Sequence, residues 1–190
     1  MRVIPSDRVI HVFDAYDPIA VVHDGEEFWV ECRDCYDGQI QSTNDRRSSL
    51  DTSRLMPCTG PIAVDSARPE SSLRIEVLAI EPSARGFMPL KPGMGILGPQ
   101  VKEETTYVVP IDGKSRTLQL GSFSVPLKPV IGTIGTTPRK PVPTSFPGDH
   151  GGNLDTREIG EGAIVCLPVF LPGGLVAVGD LHAAQGDGEL

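Results

Sequence analysis

Two glycine-rich clusters near the end of the chain carry most of its ligand chemistry. The first runs from His150 through Gly151, Gly152 and Asn153 to Asp155. The second runs from Asp180 and His182 through Gln185 and Asp187 to Glu189. Glycines let a backbone turn sharply, so side chains from both ends of a short loop can meet at one point. A His, an Asn and an Asp so close together supply nitrogen and oxygen donors. Asp180 and His182 are two apart, so on a strand they point the same way. Gln185, Asp187 and Glu189 share a parity, offset by one from the first pair, so a turn or bulge near Ala183 and Ala184 must re-aim them. Carboxylates and imidazoles in a water-poor pocket suit Zn²⁺ or another divalent ion. Such an ion could polarise an amide carbonyl and acidify a bound water. Each cluster also has a plainer reading. Asp155, followed by Thr156 and Glu158, could cap a helical turn, and the second cluster could be a solvated turn.

The elements around these clusters read as strands. Glycine (21) and proline (18) are abundant in 190 residues and charged residues make up only 22%, a mixture that suits many short strands and ordered turns. Strand patterns occur over 9–13, 19–22, 28–32, 62–64, 107–111, 116–120, 123–127 and 130–134. Leu73 to Ile80 gives the clearest alternation of the first half. Asp112-Gly113-Lys114 is a hairpin signal. Residues 41–58 form a long polar loop with a helical turn near Ser48–Arg54, and 81–100 a Pro/Gly-rich loop whose Phe87, Met88, Met94, Ile96 and Leu97 need burial. The stretch 163–178 reads as an apolar hairpin that clamps the two clusters together. The expected architecture is mainly β, sandwich- or barrel-like, one domain over 1–190 with little helix.

A net charge of −8 argues against nucleic acid and anionic membrane partners. No basic and apolar leader opens the chain, and no run is long enough to span a bilayer, so the expected location is cytoplasmic with reduced thiols. Cys32 and Cys35 have redox or zinc-knuckle spacing but no second pair, which favours structural thiols. Cys166 falls in an apolar run and reads as core. His23 reads as a surface turn, and His11 keeps a chance of a site role. There is no G-x-S-x-G elbow.

The segments HGGNLDT (150–156), LPVFLPGG (167–174) and GDLHAAQGDGE (179–189) together resemble the acetamidase/formamidase family. So do the acidic GQI segment 31–40, TGPI at 59–62 and the glycine-rich 130–135, in the same order along essentially the whole chain. The resemblance implies a β-rich, metal-dependent amidase that hydrolyses short aliphatic amides such as formamide and acetamide to ammonia and the acid. Zinc is the implied metal, with calcium possible. Matched residue by residue, it points to His150, Asp155, Asp180 and His182 as metal ligands. Asp34 and Glu189 are the implied proton carriers, and Gln39 and Asn153 the groups that orient the amide. Members of the family typically continue past the GDGE segment. The chain is therefore expected to lack the C-terminal strands, and to cover the resulting edge with another copy or a separate C-terminal piece. The alternative function is a non-catalytic subunit that binds an amide-like ligand or forms half of a hetero-oligomer.

Overall fold

The computed structural model describes residues 1–189. It is mainly β, and among the described residues the only helical elements are short 3₁₀ turns. The largest sheet has seven strands. Its order is Pro147–Gly148, Gly151–Asn153, Val130–Gly135, Val176–His182, Cys58–Val64 and Val9–Ile10, with Ala20–Val22 pairing parallel to Cys58–Val64. Val130–Gly135 is buried at every residue, so its sequence lacks the polar alternation of a half-exposed strand. Gly132 and Gly135 fall where neighbouring backbone leaves no room for a side chain. A second sheet of four antiparallel strands joins Arg85–Leu90, Thr105–Asp112, Thr117–Leu120 and Phe123–Pro126.

Apolar residues of the large sheet pack in separate groups. Ile131, Ile134 and Val178 pack with Val77, Ile80, Ile159 and Leu167. Ile10, Phe13, Cys58 and Ala177 form another group. Phe13 is 0% exposed and lies edge-on to the His150 ring, with centroids 4.9 Å apart. Phe13→Ala is expected to destabilise the chain by about 3–5 kcal/mol, measurable as a lower urea midpoint.

Several expectations are corrected. The clamp is not a hairpin: Ile164–Pro168 pairs with Ser72–Glu76 in a separate two-stranded sheet, while Val176–His182 enters the large sheet. Both halves are apolar because each meets a different partner. Cys166 lies on the exposed outer face of its strand, opposite Arg74. The Leu73 alternation holds to Val77, then fails, with Ala79 exposed and Ile80 buried. The 81–100 stretch is not all loop, since Arg85–Leu90 is a paired strand despite Pro89. Met94, Ile96 and Leu97 are exposed rather than anchored. The turn near 48–54 is present as two 3₁₀ pieces, Arg47–Ser49 and Thr52–Arg54.

Candidate metal centre

The buried Val130–Gly135 strand positions the centre from both sides. One neighbour, Val176–His182, brings Asp180 and His182. The other, Gly151–Asn153, leads into Asp155. The carbonyl of Gly132 accepts from the N–H groups of both Leu154 (2.9 Å) and Asp155 (3.2 Å), which folds that loop back over the strand. A Cβ on Gly132 would stand 2.8 Å from Asp155 Oδ1 and 2.8 Å from Asp180 Oδ2. The missing side chain is the space the two carboxylates occupy. Asp155 (φ 43°) and Asp180 (φ 52°) both hold left-handed backbone, which Asp tolerates better than most residues. At Asp155 that conformation rules out the helix-cap expectation, and no helix follows it.

His182 completes the group. Its Nε2 lies 3.4 Å from Asp180 Oδ1 and 3.5 Å from Asp155 Oδ1. Asp180 is 2% exposed, and Asp155 Oδ1, Asp180 Oδ2 and His182 Nε2 are all buried without a hydrogen-bond partner. The imidazole and the two carboxylates meet at ion-pair distance, and a cation among them would satisfy the atoms left without a hydrogen bond. One atom from each residue lies within 4.8 Å of the others. A tetrahedral ion with bonds of about 2.0–2.1 Å holds its ligand atoms about 3.3 Å apart, close to the observed separations. The residues present therefore fit a small divalent cation.

The three acids also dominate the local field at His182. Burial alone would lower the pKa of His182, but Asp155, Asp180 and Glu189 outweigh it and push it up to about 10. Burial raises the Glu189 carboxyl, reinforced by Asp180 and Asp155 and opposed by His182 and Arg47. Glu189 Oε1 sits 3.6 Å from His182 Nδ1, the ring nitrogen away from the other two acids. That is where a carboxylate orients a ligating imidazole.

Of the other expected site residues, Asp34 lines the same cavity as the centre, whereas His150 is set away from it. The N–H of Thr136 donates to the carbonyl of His150, whereas His182 pairs with Val130. Six residues at about 3.3 Å each put His150 about 20 Å along the sheet from His182. His150 meets Phe13 edge-on, and burial lowers its pKa against the pull of Asp149. Asp34 accepts from the N–H groups of Tyr36 (3.0 Å) and Gly38 (2.9 Å), so both its oxygens shape its own loop. Gln39 pairs with the backbone of Asp51 through both ends of its amide. Asn153 accepts from Thr133 Oγ1 at 2.8 Å. His11 Nδ1 is 3.0 Å from the Leu55 carbonyl, and exposed His23 is 2.6 Å from Asp65. Burial raises the Cys32 thiol to about 12, and Cys35 and Cys58 also rise through burial and the nearby Asp180. Protonated thiols of this kind are poor nucleophiles. Gly132 was missed by residue-type reasoning, and Gln185, placed in the second cluster, was given no role there. A glycine in a fully buried strand paired to an acid-rich segment was the available signal for the first.

The loop that carries Asp34 is held by Asp37, which is ion-paired to Arg33 (2.9 Å) and Arg54 (2.6 Å). Burial opposes the Asp37 charge, but the two arginines prevail and its pKa is lowered. A lowered carboxyl stabilises the fold above the unfolded-state value of about 3.9, and that contribution is lost as pH falls through the folded-state value. Asp37 has φ 52°, which Asn also tolerates. Asp37→Asn should therefore lower the melting temperature at pH 7 and narrow the gap to wild type below about pH 4, as read by thermal melts across pH.

The described residues thus form a β-rich fold with a compact carboxylate–imidazole centre. The acetamidase/formamidase family pattern matches residues 12–146 and 142–190, and the chain belongs to that family. It is 28% identical to a formamidase of Methylophilus methylotrophus, over 90% of this chain and 56% of that protein. It is 26% identical to an acetamidase of Mycolicibacterium smegmatis, over 90% of this chain and 58% of that one. The solved structure of an acetamidase from Bacillus halodurans superposes with a TM-score of 0.94 at 40% identity, covering 99% of this chain and 64% of that one. A predicted acetamidase/formamidase from Thermoanaerobacter tengcongensis gives 0.93 at 38%, covering 99% and 63%. The chain thus spans less than two thirds of the length of each of these relatives.

Proposed function

We propose that the chain hydrolyses short aliphatic amides such as formamide and acetamide to ammonia and the carboxylic acid, at a divalent cation held by Asp155, Asp180 and His182. The observation that carries this is the convergence of ligand atoms from Asp155, Asp180 and His182, with both carboxylates in the space a Gly132 side chain would fill. Family membership supports the reaction class. Zinc suits one nitrogen and two carboxylate donors, whereas calcium takes six to eight oxygens. When bound, the ion supplies polarisation of the amide carbonyl and a water acidic enough to attack near neutral pH.

The residues supply the rest. Asp155 and Asp180 hold negative charge in a buried pocket, which favours an uncharged amide over a carboxylate ligand. Glu189 fixes the His182 ring by taking the Nδ1 proton as a hydrogen bond once its side chain closes the remaining gap. It is also the half-exposed acid best placed to pass a proton to the leaving amine. Among the described residues no helix is long and apolar enough to cross a membrane. A reducing compartment such as the cytoplasm suits the four free thiols. Exposed Phe123, Ile96 and Tyr107 suit an oligomeric assembly.

The test is ammonia release from formamide and acetamide by the metal-loaded chain, with and without a chelator. The expected result is turnover that stops on chelation and returns with zinc. No ammonia under any metal condition would leave the non-catalytic alternative standing.

A further inference from the structure

Gln185 is a second unexplained buried group. Its Oε1 and Nε2 are both inaccessible and, among the described residues, neither has a hydrogen-bond partner. A carboxamide can accept through its oxygen and donate twice through its nitrogen, so leaving all of this unmet is expensive unless a ligand supplies it. The segment that carries Gln185 is fixed at both ends. Before it, the N–H of Lys128 donates to the Ala183 carbonyl at 3.0 Å. After it, the N–H of Gly188 donates to the Asp155 carbonyl at 3.2 Å. These contacts tie it to the centre, and Gln185 lines the same cavity as Asp180, His182 and Glu189.

We propose that Gln185 is the residue that selects unsubstituted carboxamides, by pairing its own amide with the C=O and NH₂ of the substrate. This rests on the amidase proposal for the centre. An unsubstituted amide presents an acceptor and a donor side by side, the mirror of what Gln185 offers. A substituent on the substrate nitrogen blocks the donor edge. An ester lacks it. Gln185 is uncharged, so it adds recognition without deepening the negative field of Asp155, Asp180 and Glu189. The acid product gains no matching donor and meets those three carboxylates, which speeds its departure.

The test compares the wild-type chain with Gln185→Leu and the near-isosteric Gln185→Glu. Gln185→Leu should bind zinc as wild type does in calorimetry, because it removes no ligand and adds no charge, and Gln185→Glu should bind it at least as tightly, because it adds a carboxylate to the pocket. KM for acetamide should rise at least about tenfold, and the preference for acetamide over N-methylacetamide should collapse. Gln185→Leu should also melt a few degrees higher, since it removes an unpaired buried polar group. A role confined to structure would lower the melt and leave the preference intact. A KM within twofold of wild type in both variants, or an unchanged preference, would overturn the proposal. If the wild-type chain turns over nothing, acetamide binding by calorimetry replaces KM. Loss of binding in the variants would then keep the Gln185 assignment while the amidase reading fails. A wild-type chain that neither turns over nor binds acetamide overturns both.

Discussion

His182→Ala should fold, fail to retain a divalent cation, and lose amide turnover by about a thousandfold or more, since a catalytic ion is worth several kcal/mol and each 1.36 kcal/mol is tenfold in rate. The imidazole is the only nitrogen donor in the group of three, and its Nε2 lies within 3.5 Å of both acids. Without it, Asp155 and Asp180 face each other with no positive partner, and like charges in a buried site repel. The metal-free variant should therefore also melt below the metal-free wild type. Thermal melts with and without zinc separate the two effects. An ion at a hundred times its dissociation constant should stabilise the wild type by about 2.7 kcal/mol, and this shift should vanish in His182→Ala. Wild-type turnover in the variant would refute the assignment of the centre.

Gly132→Ala should be almost as damaging, although it changes no ligand. The new methyl would sit 2.6 Å from the Asp180 carbonyl oxygen and 2.8 Å from a carboxylate oxygen of each acid. Gly132 lies in a strand buried throughout and paired on both sides, so the backbone has little freedom to retreat. Overpacking of this kind destabilises by about 1–3 kcal/mol, and displacement of either acid should abolish zinc binding in calorimetry. Gly113→Ala is the control. It lies in an open turn with nothing within 4 Å of its added Cβ, and should change stability by no more than about 0.5 kcal/mol with zinc binding intact. A Gly132→Ala chain that binds zinc like wild type would show that the two carboxylates are not where the centre needs them.

The strands were legible where one face is buried and the other wet. Leu73, Ile75 and Val77 alternate because their strand is half-exposed, and the pattern stops where the chain leaves the sheet at Val77. Pairing partners were not legible. Ile164–Pro168 and Val176–His182 look like one hairpin because both are apolar and a Gly-Gly turn separates them, yet they join different sheets. That choice is made by distant strands. Arg85–Leu90 was hidden by its glycine and proline, which the four-stranded sheet accommodates.

At the centre, Asp180 and His182 were readable from their two-residue spacing, and Asp155 from its place after the double glycine. His150 was drawn into the same group by sequence proximity to Asp155. The register of the strands moves it to the far end of Val130–Gly135, against Phe13. Asp34 and Gln39 have the right chemical types, but their hydrogen bonds are spent on their own loops. Residue type alone cannot show whether a polar group is already satisfied. Nor can it show the importance of an absent side chain, which is what Gly132 contributes.

The claim on which the rest depends is that Asp155, Asp180 and His182 share one ion. Crystals of the chain grown with one equivalent of zinc, measured above and below the zinc absorption edge, test it most directly. One anomalous peak is expected, bonded to a carboxylate oxygen of Asp155, a carboxylate oxygen of Asp180 and Nε2 of His182. A peak elsewhere, or no peak with the three side chains turned apart, would contradict it.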